Sequence, residues 1–196
     1  MPAQTTRLGK QHLLEVAEGL FTEHGYQAVT IREIAQASGV TNAALYYHFP
    51  NKKALFDEAI EYHTDKLAQQ MEKAGNQVAD TRGKLMAILG EYAKQVSDRR
   101  SPLFSLRRKP GIAHPEHVQK QHAHHVKRML APLERTLQNA VEQGELRQLP
   151  NEYSPASLLL GLFHGMLQHL KHSNELQISN EDIELVIDIY WGGLKQ

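Results

Sequence analysis

Apolar residues recur at three- and four-residue steps along almost the whole chain. Over 7–24 the series Leu13, Leu14, Ala17, Leu20 and Phe21 marks one face of a helix, and Gly25 supplies its stop. The same spacing predicts short helices over 31–38, with Thr30 as its cap, and over 42–49, after Gly39. Longer ones are predicted over 52–73, 81–97, 115–143, 154–172 and 179–194. The stretch "AGNQVAD" reads as a break between two of these. Pro132 has no N–H to donate and predicts a bend in the helix over 115–143. The segment over 97–117, with Pro102, Pro110, Gly111 and Pro115, reads as a loop holding a short helical piece. No strand-like alternation of useful length and no internal repeat occurs, so the fold class is all-α.

The two short helices lie in "TIREIAQASGVTNAALYYHFPNKKALF", residues 30–56, and have the layout of a helix-turn-helix. Ile34, Val40 and Leu45 supply the apolar contacts between them, and Ala35 is small where they cross. Gly39 allows the positive φ that a tight turn often needs. With those positions engaged in packing, Asn42, Ala43, Ala44 and Tyr46 fall on the outward face of the second helix, where a groove-reading helix presents its side chains. Around them, Thr30, Arg32, Tyr47, His48 and Lys52 are suited to phosphate oxygens, by hydroxyl, ring nitrogen or charge.

The stretch "EVAEGLFTEHGYQAVTIREIAQASGVTNAALYYHFPNKKALF" resembles the N-terminal DNA-binding domain of the TetR/AcrR family of bacterial transcriptional regulators. Its most specific pieces are "LFTEHGYQAVTIREIAQASGV" and "LYYHFPNKKALF", and the resemblance covers about residues 10–60. It implies a homodimer on a palindromic double-stranded operator, usually a repressor, released when a small-molecule effector occupies the C-terminal domain. It places Thr30 and Arg32 on the first helix of the motif and Thr41, Asn42, Ala43, Ala44 and Tyr46 against the groove. Tyr47, His48 and Lys52 would then hold the DNA backbone. Ala43 and Ala44 can offer only methyl contacts, so Asn42 and Tyr46 are the better candidates for direct readout.

The expected division is a three-helix helix-turn-helix domain over 1–52 and a larger helical ligand-binding and dimerisation domain over 53–196. The helix over 154–172 is apolar nearly all round, which requires burial on every face. Together with the final helix it suits a four-helix seam between two chains, through Leu159, Phe163, Ile183, Val186, Ile187, Tyr190 and Trp191. Gly161 and Gly165 would permit close approach, while a buried helix of a monomer has the same pattern. For an effector pocket the candidates are Tyr62, Met86, Leu89, Tyr92, Phe104, Met129, Phe163 and Met166, residue types that equally build a core.

Composition narrows the field. The 196 residues are 41% hydrophobic, enough for a sizeable core. Twenty-two basic residues balance 22 acidic ones, so any affinity for nucleic acid must come from local arrangement. Cysteine is absent, which removes disulfide and thiolate chemistry and fits a cytoplasmic protein. The run "LLLGLFHGML" is too short to span a bilayer, and the N-terminus has no apolar signal core. Between Arg99 and Arg128 basic residues outnumber the single acid Glu116, as either a solvated face or an attraction for an anionic effector.

In the same region His114, His117, His122, His124 and His125 leave a metal-responsive regulator as the alternative, although no defined ligand motif is present and no metal site is assigned. Surface histidines explain the same run. A histidine-based enzyme is a remote third reading, because no H-E-x-x-H, G-x-S-x-G, P-loop or dinucleotide fingerprint occurs. No cofactor is implied.

Overall fold

The computed structural model describes residues 3–97, 116–172 and 178–195, with side chains over 9–97, 127–169 and 178–195. Phe104 and the histidines from His114 to His125 lie outside the described side chains. Eight helices are described: α1 (Ala3–His24), α2 (Ile31–Ala37), α3 (Asn42–His48), α4 (Lys52–Asn76), α5 (Thr81–Ser97), α6 (Glu116–Glu142), α7 (Pro155–His172) and α8 (Asn180–Leu194). The only strand-like pairing among the described residues is one bridge between Leu146 and Lys195, which ties the chain's end to the loop after α6.

The apolar stripes close into two cores. The first gathers Leu13, Ala17 and Phe21 of α1, Val29, Ile34 of α2, Leu45 and Phe49 around α3, and Leu55 and Ala59 of α4. Rings of Phe21, Tyr26 and Phe56 meet edge to face or tilted, with centroids 4.9 to 5.8 Å apart, and fix how α4 leaves this head. The second core takes Leu67 and Met71 of the same α4 and packs them with α5, α6, α7 and α8. The apolar core of the head continues beyond 52/53, where the expected division falls. It runs through Ala59, and the first turns of α4 belong to it.

Helix α4 runs to Asn76, into the expected break over 74–80. Gly75 is helical and buried rather than a stop. A Cβ built there would lie 2.9 Å from Ile88 Cδ1, so the missing side chain lets α5 approach α4. Pro132 sits inside α6 without ending it. Glu134 of α6 reaches the start of α7, accepting from Ser154 Oγ at 2.9 Å and from the Ala156 N–H at 3.1 Å. A carboxylate there satisfies an otherwise open N–H at the positive end of the helix.

Helices α7 and α8 carry the residues expected at the pairing seam, and most of them are buried within one chain. Leu159, Phe163, Ile183, Val186, Ile187 and Tyr190 are buried within a single chain, and Trp191 packs partly buried against the same core. Tyr190 donates its hydroxyl to the Pro155 carbonyl at 3.1 Å. Burial, and next the Glu134 charge, push that phenol above the ordinary tyrosine range. The physical reason is that one chain already supplies enough helices to cover these stripes. What remains outward is Leu158 and Leu162 on α7 and Leu185 and Ile189 on α8, each between 41% and 57% exposed.

The glycines give a direct test. Gly75→Ala is expected to destabilise the fold by roughly 1–3 kcal/mol, because Ile88 has little room to yield. Gly90→Ala, on α5 with nothing within 4 Å of its Cβ position, should stabilise by roughly 0.5–1 kcal/mol. Urea denaturation of the two variants beside the parent chain measures both.

Candidate nucleic-acid interface

The geometry of the head is set by local rules. Thr30 caps α2 in a reciprocal box: its Oγ1 accepts from the Glu33 N–H at 3.2 Å, and Glu33 Oε2 accepts from the Thr30 N–H at 2.7 Å. The Glu33 carboxyl is held below its ordinary range by the Thr30 N–H bond first and the Thr30 hydroxyl bond second. Helix α2 ends at Ala37, and the φ of +69° at Gly39 lets the Val40 N–H return to the Ala35 carbonyl at 3.0 Å. Thr41 then caps α3 by accepting from the Ala44 N–H at 3.1 Å.

Only Leu45 within α3 is buried, and Phe49 just beyond it is fully enclosed. One anchor per end is enough for a seven-residue rod, and it leaves the other side open. Asn42, Ala43, Ala44, Tyr46 and Tyr47 are all exposed, Tyr47 by 81%. His48 is half-buried, with its ring 5.1 Å from that of Tyr47. Arg32 is exposed on α2 and makes no ion pair among the described residues. Asn42, Tyr46 and Tyr47 thus present an amide and two phenols on the exposed side of α3.

Two expected phosphate contacts are otherwise engaged. The Thr30 hydroxyl donates to Glu33 Oε2 at 2.8 Å, which puts a carboxylate at the helix end where an anion was expected. Lys52 donates to the Val29 carbonyl at 2.6 Å and the Gln27 carbonyl at 3.4 Å, and lies 4.5 Å from the Tyr26 ring centroid. It closes the loop between α1 and α2 rather than facing outward. An ammonium with two carbonyls and a ring in reach has little reason to leave them.

Of the pocket candidates, Tyr62 belongs elsewhere. It packs on the head's core, donates its hydroxyl to Glu15 Oε1 at 2.7 Å and receives from Gln11 at 2.7 Å. Burial first, then the Glu15 bond, push its phenol up to about 12. Leu89, Tyr92, Met129 and Phe163 are buried in the second core, and Met86 and Met166 lie partly buried against it. Tyr92 and Phe163 do come together, with ring centroids 5.8 Å apart. The Tyr92 hydroxyl also hydrogen-bonds His164 Nε2 at 2.7 Å. His164 was visible in the sequence only as a lone polar residue in an apolar run. A separate polar cleft lies between α4, α5 and α6, lined among others by Glu72, Asp80, Lys84, Arg135 and Asn139, and contains none of these candidates.

Among the described residues no three histidine or acidic side chains gather as they would to hold a metal ion. No described helix is long and apolar enough to cross a membrane.

This arrangement, two short helices at a glycine turn with the second one open on its outer side, defines a helix-turn-helix head on a larger helical body. Residues 13–59 match the family model described as bacterial regulatory proteins, tetR family. Over this segment the chain is similar to the regulators of the TetR family. It is 34% identical over 80 residues to the HTH-type transcriptional repressor KstR2 of Rhodococcus jostii (strain RHA1), a match covering 41% of this chain and only 39% of that repressor. The whole fold is similar to a TetR-family regulator from Mesorhizobium loti, with a TM-score of 0.76 at 20% identity over 97% of this chain and 98% of that one. It is similar also to the regulator FadR from Bacillus subtilis, solved in complex with stearoyl-CoA, with a TM-score of 0.75 at 16% identity over 93% and 98% of the two chains.

The Tyr62 environment has a signed consequence for stability. A phenol whose folded pKa is raised contributes fully below the unfolded value of 10.0, and the contribution is lost as pH rises through about 12. Tyr62→Phe should therefore lower stability at neutral pH and flatten the loss between pH 10 and about 12, as followed by chemical denaturation across that range.

Proposed function

We propose that this protein is a transcriptional repressor that grips a palindromic DNA operator as a homodimer and lets go when a small molecule occupies its C-terminal domain. The observation that carries the reading is the open face of α3: one buried residue, Leu45, and every other position before His48 turned outward. Thr41, Asn42 and Tyr46 would face base edges in the major groove, Ala43 and Ala44 would touch thymine methyls, and Tyr47, His48 and Arg32 would take phosphates. Thr30 and Lys52 would support the head from within. In keeping with this, their hydrogen bonds hold the start of α2 and the loop before it.

A single recognition helix reads only a few base pairs, and two copies one helical turn apart, about 34 Å, supply the rest. The exposed stripe of Leu158, Leu162, Leu185 and Ile189 supports self-association, since four large apolar side chains on adjacent helices otherwise stay wet. Gly161 and Gly165 are exposed on the same side of α7, with open space where a Cβ would sit. For the effector, the Tyr92–His164 pair beside Phe163 supplies a polar point within apolar surroundings, the composition expected of a small-molecule site. A ligand there would act by its difference in affinity between the binding and released states.

Selection from random-sequence duplexes should return a two-fold symmetric site. Asn42→Ala and Tyr46→Ala should each weaken binding to that site by roughly 5- to 150-fold, the span that 1–3 kcal/mol per base contact covers, without changing the sedimentation of the free protein. Binding that survives both changes would remove the reading. Leu162→Glu combined with Leu185→Glu should convert the dimer to monomer in sedimentation and remove tight DNA binding with it, while helical content stays as it was.

A further inference from the structure

Helix α4 is apolar where it enters each core and polar in between. Leu55 and Ala59 belong to the head, and Leu67 and Met71 to the second core. Between Ala59 and Leu67, every side chain from Glu61 to Lys66 carries a polar group, and these groups face two ways. Toward α1 of the head, Tyr62 bonds Glu15 and Gln11, His63 Nδ1 lies 2.6 Å from Glu18 Oε1, and Lys66 lies 3.9 Å from Glu15. Toward α6, Glu61 and Asp65 take the two ends of one guanidinium, that of Arg128, with Nη2 2.7 Å from Asp65. Thr64 turns back to the Ile60 carbonyl of its own helix.

We propose that the Arg128 fork onto Glu61 and Asp65 is a latch that sets the angle between head and body. This rests on the repressor reading only for its biological use, since the latch itself is a property of one chain. Three features of the joint support it. Apolar cores resist sliding because displaced side chains lose close-packed contacts, whereas a polar joint can exchange its hydrogen bonds with water at small net cost. The joint is therefore where the molecule can flex. A planar guanidinium held by two carboxylates one turn apart fixes orientation as well as distance, which a lysine at the same place would not do. Among the described residues a second ion pair from α6 to α4, Arg135 to Glu72, lies two turns along, beyond the joint. A shift of α6 near Arg128 reaches the joint through this fork, and α4 passes it to α1 through Tyr62 and His63.

The absence of cysteine permits a clean measurement. Spin labels placed by Gln36→Cys on α2 and Gln138→Cys on α6, both exposed, report the distance from head to body. Labelled chains are diluted in unlabelled ones, so that each assembly carries one labelled copy. Arg128→Gln should broaden the distance distribution, Arg128→Lys should broaden it less, and Glu61→Gln with Asp65→Asn should broaden it as Arg128→Gln does. The combined triple variant should be no broader than either, because all remove one interaction. Affinity for the selected duplex should fall roughly tenfold in Arg128→Gln, as the binding-competent angle becomes a smaller fraction of the population. An unchanged distribution, additive broadening in the triple variant, or an affinity that does not fall would overturn the proposal. Should the parent chain select no duplex, the repressor reading fails, and the distances still decide the latch.

Discussion

One helix is built into two cores at once, and that sharing governs the rest of the structure. Leu55 and Ala59 can be buried only if α1, α2 and α3 fold around the first turns of α4, and Leu67 and Met71 only if the remaining helices fold around its second half. A continuous backbone ladder of 25 residues transmits position between the two with little bending. The head is therefore joined to the body through a helix and not through a loop. Its placement follows from how α4 lies among α1, α5 and α6.

The open face of α3 follows from the same economy of contacts. The rod is seven residues long, too short to be stable alone, and it is held by its Thr41 cap, by Leu45 and by Phe49 just after it. Everything else on it can point outward without loss of fold. The Arg32 charge and the exposed Tyr46 and Tyr47 rings would be odd expenditures of exposed surface in a purely structural hairpin, yet they suit a polyanionic groove. The body shows a related division. It buries the inner faces of α7 and α8 completely and leaves one apolar stripe outside.

Local chemistry was well marked in the chain. Caps at Thr30, Thr41 and Ser179, the turn at Gly39 and the stop at Gly25 depend on residues within a few positions of one another, so the expected helices and the observed ones differ only at their ends. Long-range roles were not marked. Lys52 has the composition of a phosphate contact, and only the fold shows Val29, Gln27 and Tyr26 within its reach. Tyr62 resembled a pocket aromatic until α1 brought Glu15 and Gln11 to its hydroxyl. Within the stretch "AGNQVAD", nothing nearby in sequence names Ile88 as the neighbour that needs the missing side chain of Gly75.

The sequence by itself determined the helical class, the turn geometry of residues 30–49 and the outward set on α3, because helix periodicity and capping are short-range and leave period-specific traces. Tertiary structure alone decided which apolar residues of α7 and α8 are interior. Leu158 and Leu159 are equally hydrophobic and adjacent, and a rotation of about 100° per residue along the helix sends one to solvent and the other into the core. It also decided that Arg128 meets Glu61 and Asp65, residues more than sixty positions away. Charge on its own names no partner. Only the packing of one helix against another selects it.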